Sequence, residues 1–359
     1  MALCDGAAVF KNGFSDGLRP DPVLTVTEWA DRHRFLSQRA SAEPGKFQSS
    51  RTPYLREIMD KLSSNDPTKR VVFMKGAQVG GTEAGNNWIG YSIDASPGPF
   101  LSVAPTLEMA KRNSRTRMDP MIEESPRLRD RVRDPKARDS GNSMLQKVYP
   151  GGVLVLAGAN SASGLRSMPA RYLFADELDA WPENLDGEGS ALDLAEARTR
   201  TFNRRKIFIV STPTLAGRSA IEREFIAGSM KYFEVPCVHC GTFQRLIWSQ
   251  LKWTDDDPDT VRYVCEHCGG HLQEHNKPKM LEAGQWVSTN PDGNGTESYH
   301  ISTLYSPLGW YSWKECVMSY QRARKNDNAL KVWTNTILGE TWAEQGEAPD
   351  WQDLYNRRE

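Results

Sequence analysis

Four cysteines in two Cys-x-x-Cys pairs are the strongest local chemical signal in the chain. Cys237 and Cys240 form one pair, Cys265 and Cys268 form the other, and 24 residues separate the pairs. Each pair bends the chain so that both thiolates face one ion, and a glycine after the second cysteine permits a tight turn. Four thiolates make a closed tetrahedral Zn²⁺ site with no open position for a substrate. The spacing therefore predicts a structural zinc ribbon rather than a catalytic zinc.

Two adjacent carboxylates, Asp176 and Glu177, follow the apolar run Arg171–Ala175. An apolar strand that ends in two acidic residues suits a nucleotide–magnesium site. We expect Asp176 to hold Mg²⁺, directly or through water, together with the hydroxyl of Thr82. We expect Glu177 to orient and deprotonate an attacking water. The alternative is that the two carboxylates only cap the next turn.

A second nucleotide-binding signal is an apolar run that leads into a turn rich in small residues and then into a helix. This order directs backbone N–H groups toward phosphate oxygens. The predicted phosphate-binding loop consists of Lys75, Gly76, Ala77, Gln78, Val79, Gly80, Gly81 and Thr82. Its match to the usual pattern of Gly, four residues, Gly, Lys and Ser or Thr is degenerate. Lys75 stands where the first glycine belongs and Gly81 replaces the lysine, so a decayed, inactive loop is the alternative.

Two further segments supply candidate nucleotide contacts. A loop rich in turn formers contains Gln48 and Tyr54, which could hold an adenine through the amide and by stacking. The alternative is a surface loop packed by its own aromatic residues. Ser211 and Thr212 end another apolar run, where their hydroxyls could sense a γ-phosphate. The alternative there is an ordinary strand-ending turn closed by Pro213.

The elements that position these residues alternate between apolar runs and helical segments. Candidate strands cover residues 71–74, 99–105, 152–157, 171–175 and 206–210. This alternation indicates a doubly wound, mainly parallel α/β sheet of the phosphate-loop NTPase type. In such a sheet the ligand lies at the carboxyl ends of the strands, where the loop, the two carboxylates and Ser211 are found. That agreement is the main argument from the residues for an ATPase.

Composition and charge limit the class of protein. The 359 residues are 38% hydrophobic and 25% charged, as in a soluble globular protein. No apolar run approaches the roughly 20 residues that span a bilayer, and no basic-then-apolar leader opens the chain, so we expect a cytoplasmic setting without a membrane. The net charge of −1 excludes a globally basic DNA-binding protein. Residues 111–138 carry ten Lys/Arg against five Asp/Glu, which suits either a DNA phosphate track or a solvated helix face.

Taken in order, the motifs resemble the ATPase half of the large terminase subunit of tailed bacteriophages, in its GpA-type branch. The resemblance runs from about Val23 to the end of the chain. The stretches that carry it are Pro44–Phe47, Arg51–Tyr54, Lys75–Gly80, Ala104–Lys111, Gly158–Arg166, Tyr172–Glu177, Ile209–Pro213 and the two cysteine pairs. Each stretch is modest alone, but their joint order and spacing are highly specific.

The resemblance implies an ATP-driven motor that packages double-stranded phage DNA into a procapsid through the portal, with a small terminase subunit as partner. It also implies a ring of subunits during packaging, Mg²⁺ and Zn²⁺ as cofactors, and the host cytoplasm as location. It places Gln48 and Tyr54 at the adenine and assigns coupling between hydrolysis and DNA movement to Ser211–Pro213. A displaced lysine at the position of Lys75 also occurs in the family. Arg166 is the candidate for contact with the γ-phosphate.

We predict five segments from the motifs and the resemblance together. They are a lead-in (1–40), an ATPase core (41–232), the zinc ribbon (233–285), a helical and aromatic return segment that packs on the core (286–344) and a linker (345–359). Large terminase subunits usually continue into an RNase H-like nuclease with two metal ions. Because the chain stops near where that domain would begin, we expect no DNA cleavage by it.

Two rival functions share part of this evidence. A helicase-like ATPase would use the same loop and carboxylates, but no further helicase motif follows Ser211–Pro213. A zinc-stabilised adaptor that binds DNA or a partner would not need an active loop. Gly81, in place of the expected lysine, keeps this adaptor hypothesis open.

Overall fold

The computed structural model describes residues 11, 14, 23–39, 41–132, 141–166 and 168–344. The predicted linker, most of the lead-in and the basic stretch 133–140 lie outside these residues. The strands are β1 (Phe35–Leu36), β2 (Gly45–Lys46), β3 (Arg70–Lys75), β4 (Phe100–Ala104), β5 (Gln146–Tyr149), β6 (Gly152–Gly158), β7 (Tyr172–Asp176), β8 (Lys206–Ser211), β9 (Lys231–Pro236), β10 (Phe243–Arg245), β11 (Leu251–Thr254), β12 (Asp257–Val264), β13 (His271–Leu272), β14 (Gln285–Ser288) and β15 (Thr296–Ile301).

The α-helices are α1 (Val26–His33), α2 (Leu55–Lys61), α3 (Gly81–Asp94), α4 (Leu107–Asn113), α5 (Asp119–Glu124), α6 (Pro126–Arg131), α7 (Ala162–Arg166), α8 (Ala191–Ala197), α9 (Ala220–Ile226), α10 (Lys277–Glu282), α11 (Trp313–Ala323) and α12 (Asp327–Trp333). Two π-helical turns, Ser114–Met118 and Thr334–Leu338, follow α4 and α12. No helix in the described part of the chain is long and apolar enough to cross a membrane.

A ten-stranded sheet forms the centre of the fold, in the order β10-β9-β15-β3-β8-β7-β4-β6-β5, with β14 also paired to β9. The neighbours from β9 to β6 are all parallel. Antiparallel pairing is confined to β10 and β14 on β9 and to β5 on β6. Each predicted strand is present in this sheet. The prediction of a mainly parallel α/β sheet is therefore confirmed.

Alternate residues of the central strands enter two separate cores. In β3, Val71 and Phe73 join a core that includes residues of α1, α2 and α3, whereas Val72 and Met74 join a core with residues of α7, α8 and α9. Strands that are covered on both faces must be apolar at every position. This explains why the sequence shows continuous apolar runs instead of an alternating pattern.

Two predicted segments are more closely joined to the sheet than the sequence indicated. In the ribbon segment, β10 pairs with β9 of the central sheet, while β11, β12 and β13 form a small sheet of their own. In the return segment, β15 pairs in parallel with β3 and separates it from β9. Sequence reasoning predicted only packing of this segment onto the core. The return segment in fact supplies a strand next to the one that carries the phosphate-binding loop.

Candidate nucleotide site and metal centre

Three adjacent strands end at the candidate nucleotide site. β3 ends at Lys75, β7 ends at Asp176 and β8 ends at Ser211. Both β3 and β7 pair in parallel with β8, so the three carboxyl ends lie at one edge of the sheet. Helix α3 begins at Gly81, directly after the loop that follows β3. The topology therefore assembles the loop, the carboxylates and the hydroxyls as predicted for a parallel sheet.

The basic and acidic groups of this edge are in contact. Lys75 Nζ lies 3.3 Å from Glu177 Oε1, and the Thr82 hydroxyl lies 3.2 Å from Asp176 Oδ2. Lys75 is only 5% exposed, and a buried ammonium group requires a nearby anion. Glu177 is that anion in this structure. The Thr82 hydroxyl and the Asp176 carboxylate together are hard oxygen ligands of the kind that Mg²⁺ prefers, so the residues fit this ion.

Asp176 is a buried acid whose protonation equilibrium is shifted toward the neutral form. Burial raises the pKa of Asp176 from 3.8 to about 6, and the adjacent Glu177 carboxylate raises it as well, while Lys75 opposes the shift. Burial disfavours the charged form of an acid because the carboxylate loses its hydration. A bound divalent cation would favour the charged form and reverse this effect. The ionised form of Asp176 is thus destabilised by burial, and a cation bound at this position would stabilise it.

The loop presents a short row of free backbone amides. Gln78 and Gly80 have left-handed φ values of 57° and 85°, which turn the chain sharply enough for successive N–H groups to face one concavity. Within the described residues, the amides of Gln78, Val79 and Gly80 donate no hydrogen bond. The first amides of α3 are unpaired by the geometry of any helix N-terminus. These groups are available to phosphate oxygens.

The first two amides of the predicted loop are used differently. The Gly76 amide donates to the carbonyl of Ile301 at 2.8 Å, and the Ala77 amide donates to the carbonyl of Thr336 at 2.6 Å. Both acceptors belong to the return segment. Gly76 and Ala77 therefore anchor the loop, because their amides already donate to main-chain carbonyls, and their contact with a phosphate stays a prediction. The part of the predicted loop with free amides begins at Gln78.

Gly81 stands where the usual pattern has a lysine, and the structure supplies a steric reason. A Cβ atom at this position would lie 2.7 Å from Cε and 2.8 Å from Cδ of Lys75, and 2.9 Å from Cγ1 of Val210. Such distances are far shorter than a normal contact between carbon atoms. The side chain of Lys75 crosses the loop and fills this space. Lys75 and Val210 together leave little room for a side chain at position 81, and the close approach of the Lys75 side chain supports relocation of the lysine over decay of the loop.

Glu177 is held in an uncommon backbone conformation. Its φ of 52° and ψ of 56° are left-handed, which costs a residue with a side chain about 1 kcal/mol or more. Its neighbours hold it there: Trp181 Nε1 donates to the Asp176 carbonyl at 2.9 Å, and the Thr212 hydroxyl donates to Glu177 Oε2 at 3.3 Å. Strain of this kind is concentrated at functional sites.

The hydroxyls of Ser211 and Thr212, both predicted to contact the nucleotide, have different partners in the structure. Thr212 contacts the Glu177 carboxylate. Ser211 is 1% exposed, and its hydroxyl accepts from the Asp179 amide at 3.1 Å and donates to the Thr212 carbonyl at 2.9 Å. Ser211 thus shapes the turn, and Thr212 is the hydroxyl that faces the site.

Three other predicted site residues form no hydrogen bond or ion pair with the phosphate-binding loop in the described part of the chain. Tyr54 is completely buried and its ring packs edge-on against Phe233, with centroids 6.0 Å apart, so it has no face open to an adenine. The predicted stacking by Tyr54 is not supported by this arrangement. Gln48 is exposed at the start of a 3₁₀ turn. Arg166 forms an ion pair with Glu188. The roles of Gln48 and Arg166 remain predictions.

Sequence reasoning missed three of the five polar residues that line a small cavity beside Thr82 and Asp176. Polar side chains that line it belong to Thr82, Asn86, Ser102, Asn113 and Asp176. Asn86 follows Thr82 by four residues in α3, and this spacing places both on one face of the helix. That spacing could have revealed Asn86. Asn113 ends α4 on a different strand–helix unit, and no local pattern connects it to the site.

The four predicted zinc ligands form the second candidate centre. Their sulfur atoms all lie within 4.8 Å of one another, and two cross-pairs, Cys237–Cys268 and Cys240–Cys265, are 3.9 Å apart. Tetrahedral Zn–S bonds of about 2.3 Å place sulfur atoms about 3.8 Å apart. The cluster therefore fits one zinc ion. Among the described residues it is the only group of three or more such side chains placed to share an ion.

Sequence comparison assigns most of the chain to one family. The profile described as phage terminase large subunit gpA, ATPase domain, matches residues 41–286. A second profile, terminase large subunit gpA, endonuclease domain, matches residues 296–359. The expectation that the chain does not cleave DNA by itself is therefore not confirmed, since the endonuclease profile begins within the return segment.

Two curated relatives are named as large terminase subunits. The chain is 29% identical to the protein of Enterobacteria phage P21 and 28% identical to that of Escherichia phage lambda. The matches cover 98% and 97% of this chain, but 58% and 57% of the relatives. The chain thus spans somewhat more than half the length of these curated relatives.

One solved structure shares the fold. The crystal structure of the HK97 bacteriophage large terminase has a TM-score of 0.55 at 11% identity, and the match covers 89% of this chain and 56% of that chain. At this identity the likeness concerns the fold alone. The ATPase-domain profile, in contrast, matches more than half of the sequence. The chain therefore belongs to the phage terminase large subunit gpA family.

Proposed function

We propose that this chain is an ATP-hydrolysing motor subunit that translocates double-stranded viral DNA into procapsids. It would have the phosphate-loop NTPase type of fold and work in the host cytoplasm, in a ring at the portal, with a small terminase subunit as partner. The observation that carries the proposal is the contact of Lys75 with Glu177, beside that of Thr82 with Asp176, at the carboxyl ends of β3 and β7, which lie on either side of β8 in the parallel sheet. Membership of the gpA family supports the interpretation of this arrangement as a nucleotide site rather than a chance ion pair.

An exchange of ionic partners at Lys75 would start the reaction. In the free protein the buried ammonium group relies on Glu177 at 3.3 Å. The β- and γ-phosphates of ATP would offer Lys75 stronger anions, and the amides from Gln78 to the start of α3 would bind their oxygens. Glu177 would then be released to accept a proton from the attacking water. One buried contact would thereby keep the base inactive until nucleotide is bound.

Thr82 and Asp176 would hold Mg²⁺ at this site. The ion supplies charge neutralisation on the phosphate oxygens when it is bound. Thr212 contacts Glu177 and lies directly after β8, so it is the residue of Ser211–Pro213 through which the state of the base would reach the following loop. The coupling role predicted for Ser211–Pro213 is therefore proposed for the Thr212 hydroxyl and not for the Ser211 hydroxyl.

A DNA-binding surface is proposed on the helices after β4. The basic residues there differ in their partners: Arg127 and Arg131 are paired with the buried Asp94. Arg112, Arg115 and Arg129 are exposed, and within the described residues they form no ion pair. Unpaired, exposed arginines are the groups that neutralise DNA phosphates. This pattern supports a phosphate track, and a solvated helix face with partial ion pairing would show the same pattern.

Steady-state ATP hydrolysis with and without linear double-stranded DNA tests the proposal. We expect the unmodified chain to hydrolyse ATP, and Glu177→Gln to lower turnover by at least about 100-fold while ATP still binds. Glu183→Gln is the matched control, because Glu183 is an exposed acid in the following loop. An unmodified chain that hydrolyses no ATP under either condition would contradict the proposal and favour the adaptor hypothesis.

A further inference from the structure

The base of the phosphate-binding loop is attached to the return segment by main-chain hydrogen bonds. The amides of Gly76 and Ala77 donate to the carbonyls of Ile301 and Thr336, at 2.8 Å and 2.6 Å. Ile301 is the last residue of β15, which runs parallel to β3. Thr336 lies in the π-helical turn that follows α12. Two parts of the return segment thus meet at one point of the loop.

The side chain of Thr303 lies at this meeting point. Its hydroxyl oxygen is 2.9 Å from the carbonyl oxygen of Ala77 and 3.1 Å from that of Thr336. Both are acceptors only, so the single hydroxyl proton is shared between them. Thr303 is 2% exposed, and a Cβ on Gly76 would lie 2.5 Å from its Oγ1. The hydroxyl therefore packs directly against the first glycine of the loop.

The same part of the return segment also contacts the loop that follows β8. The Trp342 amide donates to the Thr214 carbonyl at 2.9 Å, and the Ala216 amide donates to the Trp342 carbonyl at 3.0 Å. Asn335 Nδ2 donates to the Thr214 carbonyl at 3.0 Å. Residues 334–342 therefore bind both the phosphate-binding loop and the chain that continues from Thr212. The endonuclease-domain profile covers this stretch as well.

We propose that Thr303 is a positioning residue of the nucleotide site. Its hydroxyl joins Ala77 to Thr336 and holds the base of the loop, so that the amides from Gln78 onward face the phosphates. The same bond couples the loop to the return segment, so that phosphate binding changes the protection of residues 334–338. This inference rests on the proposed nucleotide-binding function, because it assigns a residue to the loop of that site.

A purely structural threonine would behave differently from a positioning residue. Loss of a buried hydroxyl anywhere lowers stability, and Thr199 provides the matched case. It is 1% exposed and its hydroxyl donates to the Glu196 carbonyl at 2.8 Å, in the turn after α8. Thr303→Val and Thr199→Val each remove one hydroxyl that donates to main-chain carbonyls, shared between two carbonyls at Thr303 and bonded to one at Thr199. Only Thr303→Val should change the exchange of loop amides and the KM for ATP.

Amide hydrogen exchange without nucleotide is the primary test. We expect Thr303→Val to speed exchange at Gly76 and Ala77 by about tenfold or more. Thr303→Ser, which keeps the hydroxyl, and Thr199→Val should both leave this exchange as in the unmodified chain. With ATP, Thr303→Val should raise KM about tenfold and change kcat less than KM, because a misplaced loop weakens phosphate binding. Unchanged exchange and KM in Thr303→Val would overturn the proposal.

A measurement on the unmodified chain keeps the test decisive if Thr303→Val does not fold. Adding a non-hydrolysable ATP analogue with Mg²⁺ should slow exchange at residues 334–338 relative to Mg²⁺ alone. Bound analogue with no change there would refute the coupling. If the unmodified chain binds no nucleotide, the proposed function fails. The exchange of Gly76 and Ala77 in the nucleotide-free variants still decides whether Thr303 positions the loop.

Discussion

The cysteine cluster and the nucleotide site concentrate reactive side chains in opposite ways. In the cysteine cluster four sulfur atoms face one another within 4.8 Å. Both turns are closed by main-chain bonds, from the Gly241 amide to Cys237 and from the Gly269 amide to Cys265. One ion would satisfy every ligand. In the candidate nucleotide site, among the described residues, a buried lysine has one carboxylate partner at 3.3 Å, and the loop amides from Gln78 to Gly80 have no acceptor.

The difference teaches what each centre can do. A saturated centre has no group left to exchange, so it can only hold chain segments together. An unsaturated centre contains buried charges and amides whose best partners are absent, so a ligand can replace the existing contacts. Asp176, whose pKa is raised by burial, and Lys75, held by Glu177, are groups of this kind. The first centre should therefore control stability, and the second should control binding and turnover.

Removal of zinc should have the largest effect on stability. We expect a chelator that strips the metal to lower the Tm by about 10 °C or more, because a structural zinc site contributes its binding energy to folding. Metal analysis should find one zinc per chain, and Cys265→Ser should lose it. Cys316→Ser is the control, since this buried cysteine lies outside the cluster and should leave the zinc content unchanged. A purified chain without zinc would contradict the assignment.

The ionisation of Asp176 should have the next largest effect on stability, and this effect should depend on pH. The pKa of Asp176 in the folded chain is raised from 3.8 to about 6, so its contribution to stability is fully present below pH 3.8 and is lost as the pH rises through about 6. Asp176→Asn should therefore stabilise the metal-free chain at pH 8 by up to about 3 kcal/mol, since one pKa unit corresponds to about 1.4 kcal/mol.

The comparison of Asp176→Asn with the unmodified chain should be made by urea unfolding at pH 8 and at pH 5. The advantage of the variant should shrink at the lower pH. Adding Mg²⁺ at pH 8 should stabilise the unmodified chain and not the variant. Asp186→Asn, a change at an exposed acid, should show neither effect. An Asp176→Asn variant that is no more stable than the unmodified chain at pH 8 would show that the buried charge is compensated.

The steric contact between position 81 and Lys75 should have the smallest effect on the free energy of unfolding. Gly81→Ala should cost about 1–3 kcal/mol, because the new methyl group would overlap Lys75 and Val210. In the Lys75→Ala background most of the Lys75 overlap disappears, so the same change should cost at least about 0.5 kcal/mol less. Urea unfolding of the four chains measures this coupling. Strictly additive costs would mean that Lys75 does not occupy the space above Gly81.

The parts of the site that could be predicted from the sequence are those formed by consecutive residues. An apolar run, a turn of small residues and a helix predicted the loop, and an apolar run before Asp176 predicted where the carboxylates emerge. Their convergence followed from a general rule of parallel sheets. The cysteine cluster was predictable for the same reason, since each Cys-x-x-Cys pair forms its own turn.

The remaining contacts depend on pairings between distant segments. Tyr54 lies in a turn-rich loop, yet Phe233 covers its ring and Trp286 Nε1 donates to its carbonyl at 2.9 Å. The bonds from Gly76 and Ala77 to the return segment exist because β15 enters the sheet beside β3. No local pattern in the sequence specifies which strand becomes the neighbour of β3. Contacts between segments that are distant in the sequence are determined by the packing of the whole fold.

The central claim is that Lys75 supplies the cation that the usual loop carries at the position of Gly81. ATP turnover of Lys75→Ala, measured beside the unmodified chain, tests it most directly. Lys69→Ala, a change at an exposed lysine just before β3, is the control. We expect Lys75→Ala to lose at least about 100-fold in turnover, Lys69→Ala to lose little, and Gly81→Lys to bring no improvement. A Lys75→Ala chain that hydrolyses ATP at the unmodified rate would contradict the account.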